Sequence, residues 1–181
     1  MNEDRVRLTC SLHAEAFIVS HDRASTVSLL QALRPHHRTI LVQELIRVAI
    51  HSNDTSDAFA VGSLLSSRIV DGLCNEGDSL HGGLKEQLAW LEDVVLDVPH
   101  APRLLAYILQ GIGFSLKLVE QMVIGSLPSG HHLVGALLTE MKNLQDYSDS
   151  TTDGQDSVDE GYRRNRFERT PSQNCSYARS S

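Results

Sequence analysis

Apolar residues recur at helical spacing along most of this chain, and this period constrains its fold more than any other feature. The stretch that follows Arg38 shows the pattern most clearly: Leu41, Leu45 and Val48 share one face of a helix, and Glu44 lies off it. Short polar joints separate such stretches between about residue 10 and residue 145. No alternating apolar and polar run is long enough to indicate a β-sheet. The sequence therefore predicts an all-α fold.

The joints carry residues that usually begin or end a helix. We predict helices over residues 10–20, 24–33, 36–52, 56–73, 79–97, 102–113, 115–127 and 131–145. Ser56 and Ser79 are the expected N-caps, and Pro102 fits a first helical turn, where no N–H partner is needed. Pro99 ends the segment 79–97, because it cannot continue a helix and disfavours helical geometry at Val98. Since the joints are short, we expect consecutive helices to pack as antiparallel hairpins.

The two ends of the chain differ in composition from its middle. We expect residues 1–9 to be a flexible N-terminus, residues 10–127 to form one helical domain, and 131–145 to add a further helix. Residues 146–160 carry acidic side chains without Lys or Arg, whereas residues 161–181 are basic. Few branched apolar residues remain there, so we predict a disordered tail over 146–181. Either this tail is only solvated, or Arg163, Arg164 and Arg166, flanked by aromatic residues, make a weak RNA contact.

The overall charge and the cysteines restrict the kind of partner and the compartment. A formal net charge of −7 disfavours a broad phosphate-binding face and suits a basic protein partner. Cys10, Cys74 and Cys175 are scattered and lack metal spacing, so we expect reduced thiols in a cytoplasmic or nuclear protein. No apolar run is long enough for a transmembrane helix or a signal peptide, and we expect no membrane contact.

Signatures of enzymes, cofactors and metal sites are incomplete in this sequence. The string Gly111-Ile112-Gly113 begins like a dinucleotide-binding loop, but Leu116 stands where the third glycine belongs. The adjacent pairs His36-His37 and 131–132 would point about 100° apart on a helix, which makes them poor joint metal ligands. We therefore predict a protein that is not an enzyme and has no cofactor or metal.

The end of the segment 79–97 carries an unfavourable pair of charges. On a helical projection Asp93 and Asp97 lie nearly opposite an apolar face that includes Leu88 and Leu91. Like charges four residues apart cost roughly 0.2–0.5 kcal/mol. An aspartate in a last turn opposes the helix dipole by about 0.3–1 kcal/mol. Either the pair is an ordinary solvated face, or it is kept for a function.

The same segment resembles a known family. The string Leu-Asp-Val-Pro-His-Ala-Pro over residues 96–102, with an acid four residues before its aspartate, is similar to the signature corner of the MI domain. This is the helical module of programmed cell death 4 and of the initiation factor 4G scaffold. Residues 33–38, Leu-Arg-Pro-His-His-Arg, resemble the Pro-x-His-His stretch of that family. Tyr107 to Gln110 depart from the Phe-x-Ala-Arg pattern that often follows the corner.

The resemblance implies a HEAT-like stack of helical hairpins that binds proteins and has no catalytic role. MI domains bind the DEAD-box RNA helicase of translation initiation, initiation factor 4A, through their acidic corner. Carried over to this sequence, Asp93 and Asp97 would pair with Arg or Lys of the helicase, Pro99 would shape the loop, and Glu92 would assist at the rim. A HEAT-like scaffold in nuclear RNA processing or ribosome assembly is the alternative.

Overall fold

The computed structural model describes residues 3–67, 79–126 and 132–152, and every secondary-structure element within these ranges is an α-helix. The helices are α1 (Glu3–Ser20), α2 (Arg23–Ala32), α3 (Pro35–His51), α4 (Thr55–Leu65), α5 (Ser79–Ala89), α6 (Leu91–Asp97), α7 (Ala101–Ile112), α8 (Leu116–Ser126) and α9 (His132–Thr152). The predicted all-α class is confirmed. Within the described ranges, no helix has the length and apolar character that a membrane span requires.

Both ends of the helical region extend further than the sequence predicts. Helix α1 begins at Glu3, so the expectation of a flexible N-terminus is wrong for residues 3–9; Val6 is fully buried and fixes this turn in the core. Helix α9 continues to Thr152, so the predicted disorder is wrong for residues 146–152. Once Leu137 and Met141 anchor α9 by burial, each further residue adds a hydrogen bond at little cost. The rest of the predicted tail, 153–181, lies outside the described residues.

The helix ends show which polar residues act as caps. Helix α4 is capped by Asp54 and not by Ser56, because the Asp54 carboxylate accepts hydrogen bonds from the backbone N–H of Ser56 at 2.7 Å and from its hydroxyl at 2.8 Å. These two bonds lower the pKa of Asp54. Pro102 lies in the first turn of α7, as predicted. Gly113 ends α7 with a φ of 90°, so the glycine string is a helix C-cap here.

The largest contacts join helices that do not follow one another in sequence. Helix α1 packs on α3, α3 on α5 and α5 on α8, which forms one series of neighbours. Helix α4 packs on α7 and α7 on α9, which forms a second series. Helix α3 touches both α4 and α7, so it joins the two series through a single apolar core. Contacts within the consecutive pairs α1–α2 and α5–α6 are smaller, so the expectation that consecutive helices pack mainly against each other as hairpins is wrong for these pairs.

Two glycine positions set how closely the helices approach. A Cβ built on Gly62 of α4 would lie 2.5 Å from the carbonyl oxygen of Ile108 and 2.9 Å from the Cα of Gly111, both on α7. A Cβ built on Gly83 of α5 would lie 2.7 Å from a methyl carbon of Val42 on α3. Only residues without a side chain allow backbones this close. These glycines therefore fix the α4–α7 and α3–α5 interfaces.

A buried ionic group joins α1 to α3. Glu44 is 6% exposed, and its carboxylate pairs with Arg47 at 2.7 Å and with Arg7 at 3.9 Å. Arg47 also donates to the hydroxyl of Ser11 at 3.1 Å. A carboxylate this deeply buried requires such partners, because an unpaired charge in the core is strongly destabilising. The group therefore holds the register between the two helices.

Candidate partner-binding site

The segment that carries the predicted site is two helices and not one. Helix α5 ends at Ala89 and α6 begins at Leu91, with Trp90 between them at φ −94° and ψ 0°. The predicted continuous helix over 79–97 is therefore wrong at this joint. The neighbours differ on either side of the joint: α5 lies against α3 and α8, whereas α6 lies against α7. Local periodicity alone does not record such tertiary contacts.

The joint keeps enough helical hydrogen bonding to preserve the spacing of the side chains. The N–H of Trp90 donates to the carbonyl oxygen of Glu86 at 3.1 Å, and the N–H of Val94 donates to that of Trp90 at 3.0 Å. Residues three or four apart across Trp90 therefore remain neighbours on the surface. Trp90 and Asp93 are neighbours in this sense, as are Asp93 and Leu96.

A tight turn follows α6 and leads into α7. The N–H of Val98 donates to the carbonyl oxygen of Val94 at 2.8 Å, and α6 stops at Asp97, where Pro99 was expected to stop it. The N–H of Ala101 then donates to the carbonyl oxygen of Val98 at 2.9 Å, which closes the turn around Pro99. Val98 is buried at 8% exposure, so the turn is held on the core. The end of α6 is thus presented on a fixed support.

All four predicted site residues lie on the outside of this corner. Glu92, Asp93, Asp97 and Pro99 are exposed, whereas Leu91 is 2% exposed and faces the core. Asp93 and Asp97 make no hydrogen bond or ion pair within the described ranges. The helical projection indicates this outward orientation correctly, because it depends only on the period. The corner therefore carries two exposed carboxylates on its outer side.

The structure adds two apolar residues that the sequence analysis missed. Leu96 is 82% exposed and Trp90 is 57% exposed, although large apolar side chains are usually covered. They stand three residues after and three residues before Asp93, so apolar and acidic groups share the outer surface of α6. The available signal was their position off the stripe that includes Leu88 and Leu91. We call the surface formed by Trp90, Asp93, Leu96 and Asp97 the α6 outer face.

Helix α5 holds this corner on the rest of the molecule. Gly83 lets α5 approach Val42 of α3 closely, and the side-chain amide of Gln43 donates to the carboxylate of Glu86 across the same interface. Leu84 and Leu88 of α5 are buried. Because α5 leads directly into Trp90, these contacts fix the place from which the α6 outer face projects.

The Pro-His-His stretch has a structural role at the start of α3. Helix α3 begins at Pro35, and the rings of His36 and His37 lie 4.0 Å apart between centroids. Burial lowers the pKa of His37, and the neighbouring His36 and Arg34 lower it further. Arg38 donates to the carbonyl oxygen of Leu30 at 3.2 Å, which ties α3 back to α2. These surroundings disfavour the charged form of His37.

Two further residues on α7 bear on the comparison with the MI pattern. The Arg103 guanidinium lies 5.9 Å from the ring centroid of Tyr107, and its hydrogen bond to Tyr107 raises the pKa of Arg103. Gln110, which stands where the family pattern often has arginine, donates to the carbonyl oxygen of Leu144 at 3.4 Å. Tyr107 therefore contacts its own helix, and Gln110 contacts α9.

Neither a metal cluster nor a relative identifies the site. Across residues 3–67, 79–126 and 132–152, no three His, Cys, Asp or Glu side chains converge in a way that could hold a metal ion. No protein-family model, curated protein or solved structure matches the chain. The α6 outer face is thus the surface whose chemistry points most directly to a partner.

Proposed function

We propose that this protein is a non-catalytic adaptor of the MI type, and that its α6 outer face binds the DEAD-box RNA helicase of translation initiation. One observation carries the proposal: Asp93 and Asp97 are exposed without a hydrogen bond or ion pair to any described residue, and exposed Trp90 and Leu96 lie on the same face. The resemblance of residues 96–102 to the MI corner supplies the kind of partner. By binding the helicase, the protein would modulate translation.

The chemistry of the face suits arginine and lysine side chains on a protein. Carboxylates four residues apart on a short, supported helix can accept charge-assisted hydrogen bonds from a guanidinium. In water each carboxylate stays solvated at small cost, but in a closed interface truncation of one costs about 2 kcal/mol or more. Trp90 adds the residue type that most often dominates binding energy in protein interfaces. Glu92 and Pro99 flank these groups at the rim.

The arrangement of the helices supports the MI reading of the fold. Two series of packed helices, α1–α3–α5–α8 and α4–α7–α9, joined through α3, give the layered helix packing that a HEAT-like array also has, although the consecutive pairs α1–α2 and α5–α6 make smaller contacts than its hairpins would. The α6 corner is a short helical joint inserted between α5 and α7.

Calorimetric titration of the full chain into the initiation helicase tests the proposal. We expect micromolar binding that the Asp93→Ala, Asp97→Ala double variant weakens by at least about 30-fold, the equivalent of about 2 kcal/mol. The matched control is Glu15→Ala, Glu120→Ala, which removes two exposed carboxylates from α1 and α8 and should leave the affinity unchanged. Equal binding by all three proteins would remove the α6 outer face as the site, and no binding by the unmodified chain would remove the helicase.

The apolar half of the face is tested separately. Leu96→Ser should weaken helicase binding, because it removes an exposed leucine without touching a charge. Leu12→Ser on α1 is the control, because Leu12 is 59% exposed on a different helix. A loss of affinity with Leu12→Ser and not with Leu96→Ser would move the site to α1.

A further inference from the structure

The outer face of α6 is an apolar surface without a cover among the described residues. Leu96 is 82% exposed and Trp90 is 57% exposed, and Trp90 is the single tryptophan of the 181-residue sequence. Helix α6 meets only α5 and α7 as major neighbours, so its opposite side faces outward. Contiguous exposed apolar patches, unlike single exposed apolar residues, tend to mark a surface that another segment or a partner covers.

The charges around the apolar side chains restrict what the cover can be. Glu92, Asp93 and Asp97 surround Leu96 on the same short helix, so the cover has to bring both apolar and basic groups. The chain itself contains such a segment at 162–169, with the sequence Tyr-Arg-Arg-Asn-Arg-Phe-Glu-Arg. It has two aromatic rings and four arginines against one glutamate. Arginine also stacks favourably on tryptophan, so this segment fits the face in both respects.

The distance along the chain allows this segment to reach the face. Gln110 contacts Leu144, so the middle of α9 lies beside the C-terminal end of α7. Thr152 then lies about 12 Å beyond Leu144 along α9, and Ala101, beside the corner, lies about 14 Å from Gln110 along α7. The separation from Thr152 to the corner is therefore at most about 30 Å. The ten residues from Thr152 to Tyr162 span up to about 35 Å when extended.

We propose that the basic aromatic segment 162–169 docks on the α6 outer face of the same chain and competes there with the protein partner. Because the segment is tethered, it sees the face at an effective concentration in roughly the millimolar range, and even weak contacts are then populated. The competition, though not the contact, rests on the helicase binding proposed above. The protein would thus carry its own reversible cover for the site.

Trp90 reports directly on the cover, because no other tryptophan contributes to the fluorescence. We would compare acrylamide quenching in the full chain with that in the full-length variant Arg163→Gln, Arg164→Gln, Arg166→Gln. The Stern–Volmer constant should rise by about twofold in the variant, since the tethered segment no longer covers the indole. The matched control, Ser172→Glu, Ser176→Glu, Ser180→Glu, changes the net charge by the same amount outside the segment and should quench like the unmodified chain.

A charge swap then tests whether the arginines meet these particular carboxylates. Reversing the arginines to glutamate should expose Trp90, and combining that change with Asp93→Lys, Asp97→Lys should cover it again. Far-UV circular dichroism of each variant checks that the helices remain. If quenching is the same in the unmodified chain, the glutamine variant and the swap, the segment does not dock on α6 and the proposal is overturned. Pairing of the arginines with the acidic stretch 146–160 would give that result.

Helicase titration separates this proposal from the function on which it draws. If the segment covers the face most of the time, the glutamine variant should bind the helicase about fivefold more tightly than the unmodified chain. A change in quenching without any helicase binding would support the contact and reject the helicase. Helicase binding with unchanged quenching would reject the cover and leave the proposed function standing.

Discussion

At the scale of single residues, Cys10 shows how strongly the core changes the chemistry of a side chain. It is fully buried on α1, and the desolvation of its thiolate raises the pKa of its thiol to about 11. The carboxylate of Glu44 contributes to this rise, and Arg7 opposes it. The thiol is therefore protonated at neutral pH, and a protonated thiol is a poor nucleophile.

We expect Cys10 to resist alkylation in the native protein. Iodoacetamide at pH 8 should leave the Cys10 peptide unmodified, whereas the same treatment in concentrated urea should alkylate it; mass spectrometry of the peptide measures both. Its pKa in the folded protein lies above the usual 9.0. Ionisation of this thiol should therefore lower the free energy of unfolding as the pH rises from about 9 toward 11, and should not affect it below that range. Alkylation at the same rate in native and unfolded protein would contradict this account.

Residue by residue, the sequence predicts orientation better than exposure. The outward position of Asp93 and Asp97 follows from the helical period, because that period alone decides which side of a helix a residue occupies. The period also places Trp90 and Leu96 off the buried stripe. It does not predict how exposed they are, because that depends on which other helices cover this side of α6. The choice of Asp54 over Ser56 as N-cap also depends on where the preceding turn places each side chain. Such details are properties of the packed molecule.

At the scale of helices, α4 and α7 approach each other closely at Gly62 and Gly111. We expect Gly111→Ala to destabilise the protein by about 1–3 kcal/mol, because the new Cβ would lie 2.9 Å from the Cα of Gly62 and neither backbone can move freely. Gly135→Ala on α9 is the control: a Cβ there meets nothing within 4 Å, and the better helix former should stabilise by up to about 1 kcal/mol. Urea unfolding measures both changes, and a neutral Gly111→Ala would show that the two helices are not tightly packed there.

The helix boundaries that the sequence predicts wrongly share a physical cause. The sequence predicts one helix over 79–97 because the apolar period continues without glycine or proline through the joint, yet the helix is interrupted at Trp90 and α5 and α6 meet different neighbours. At both ends, burial of Val6 and of Met141 extends helices into stretches whose composition indicates flexibility. Packing therefore overrode local composition in each case. The prediction of an all-α fold depends only on the helical period of the apolar residues, and it is confirmed.

At the scale of the whole molecule, α3 makes the described helices into one core. It contacts α1 and α5 in one series and α4 and α7 in the other. Unfolding of α3 would therefore remove contacts from both series at once. We therefore expect a single cooperative unfolding transition in urea. Far-UV circular dichroism reports all helices and the fluorescence of Trp90 reports the α6 corner, so the two curves should coincide. A fluorescence transition at distinctly lower urea would show that the corner unfolds by itself.

The proposed function requires the whole helical body to hold the α6 outer face in place for a basic protein partner. The measurement that tests it most directly is an NMR titration of the isotope-labelled full chain with the initiation helicase, following each backbone amide. We predict that attenuation and shift changes concentrate on residues 90–100. Unchanged signals over 90–100, with changes concentrated instead around the exposed Leu8, Leu12 and Val19 of α1, would contradict the account.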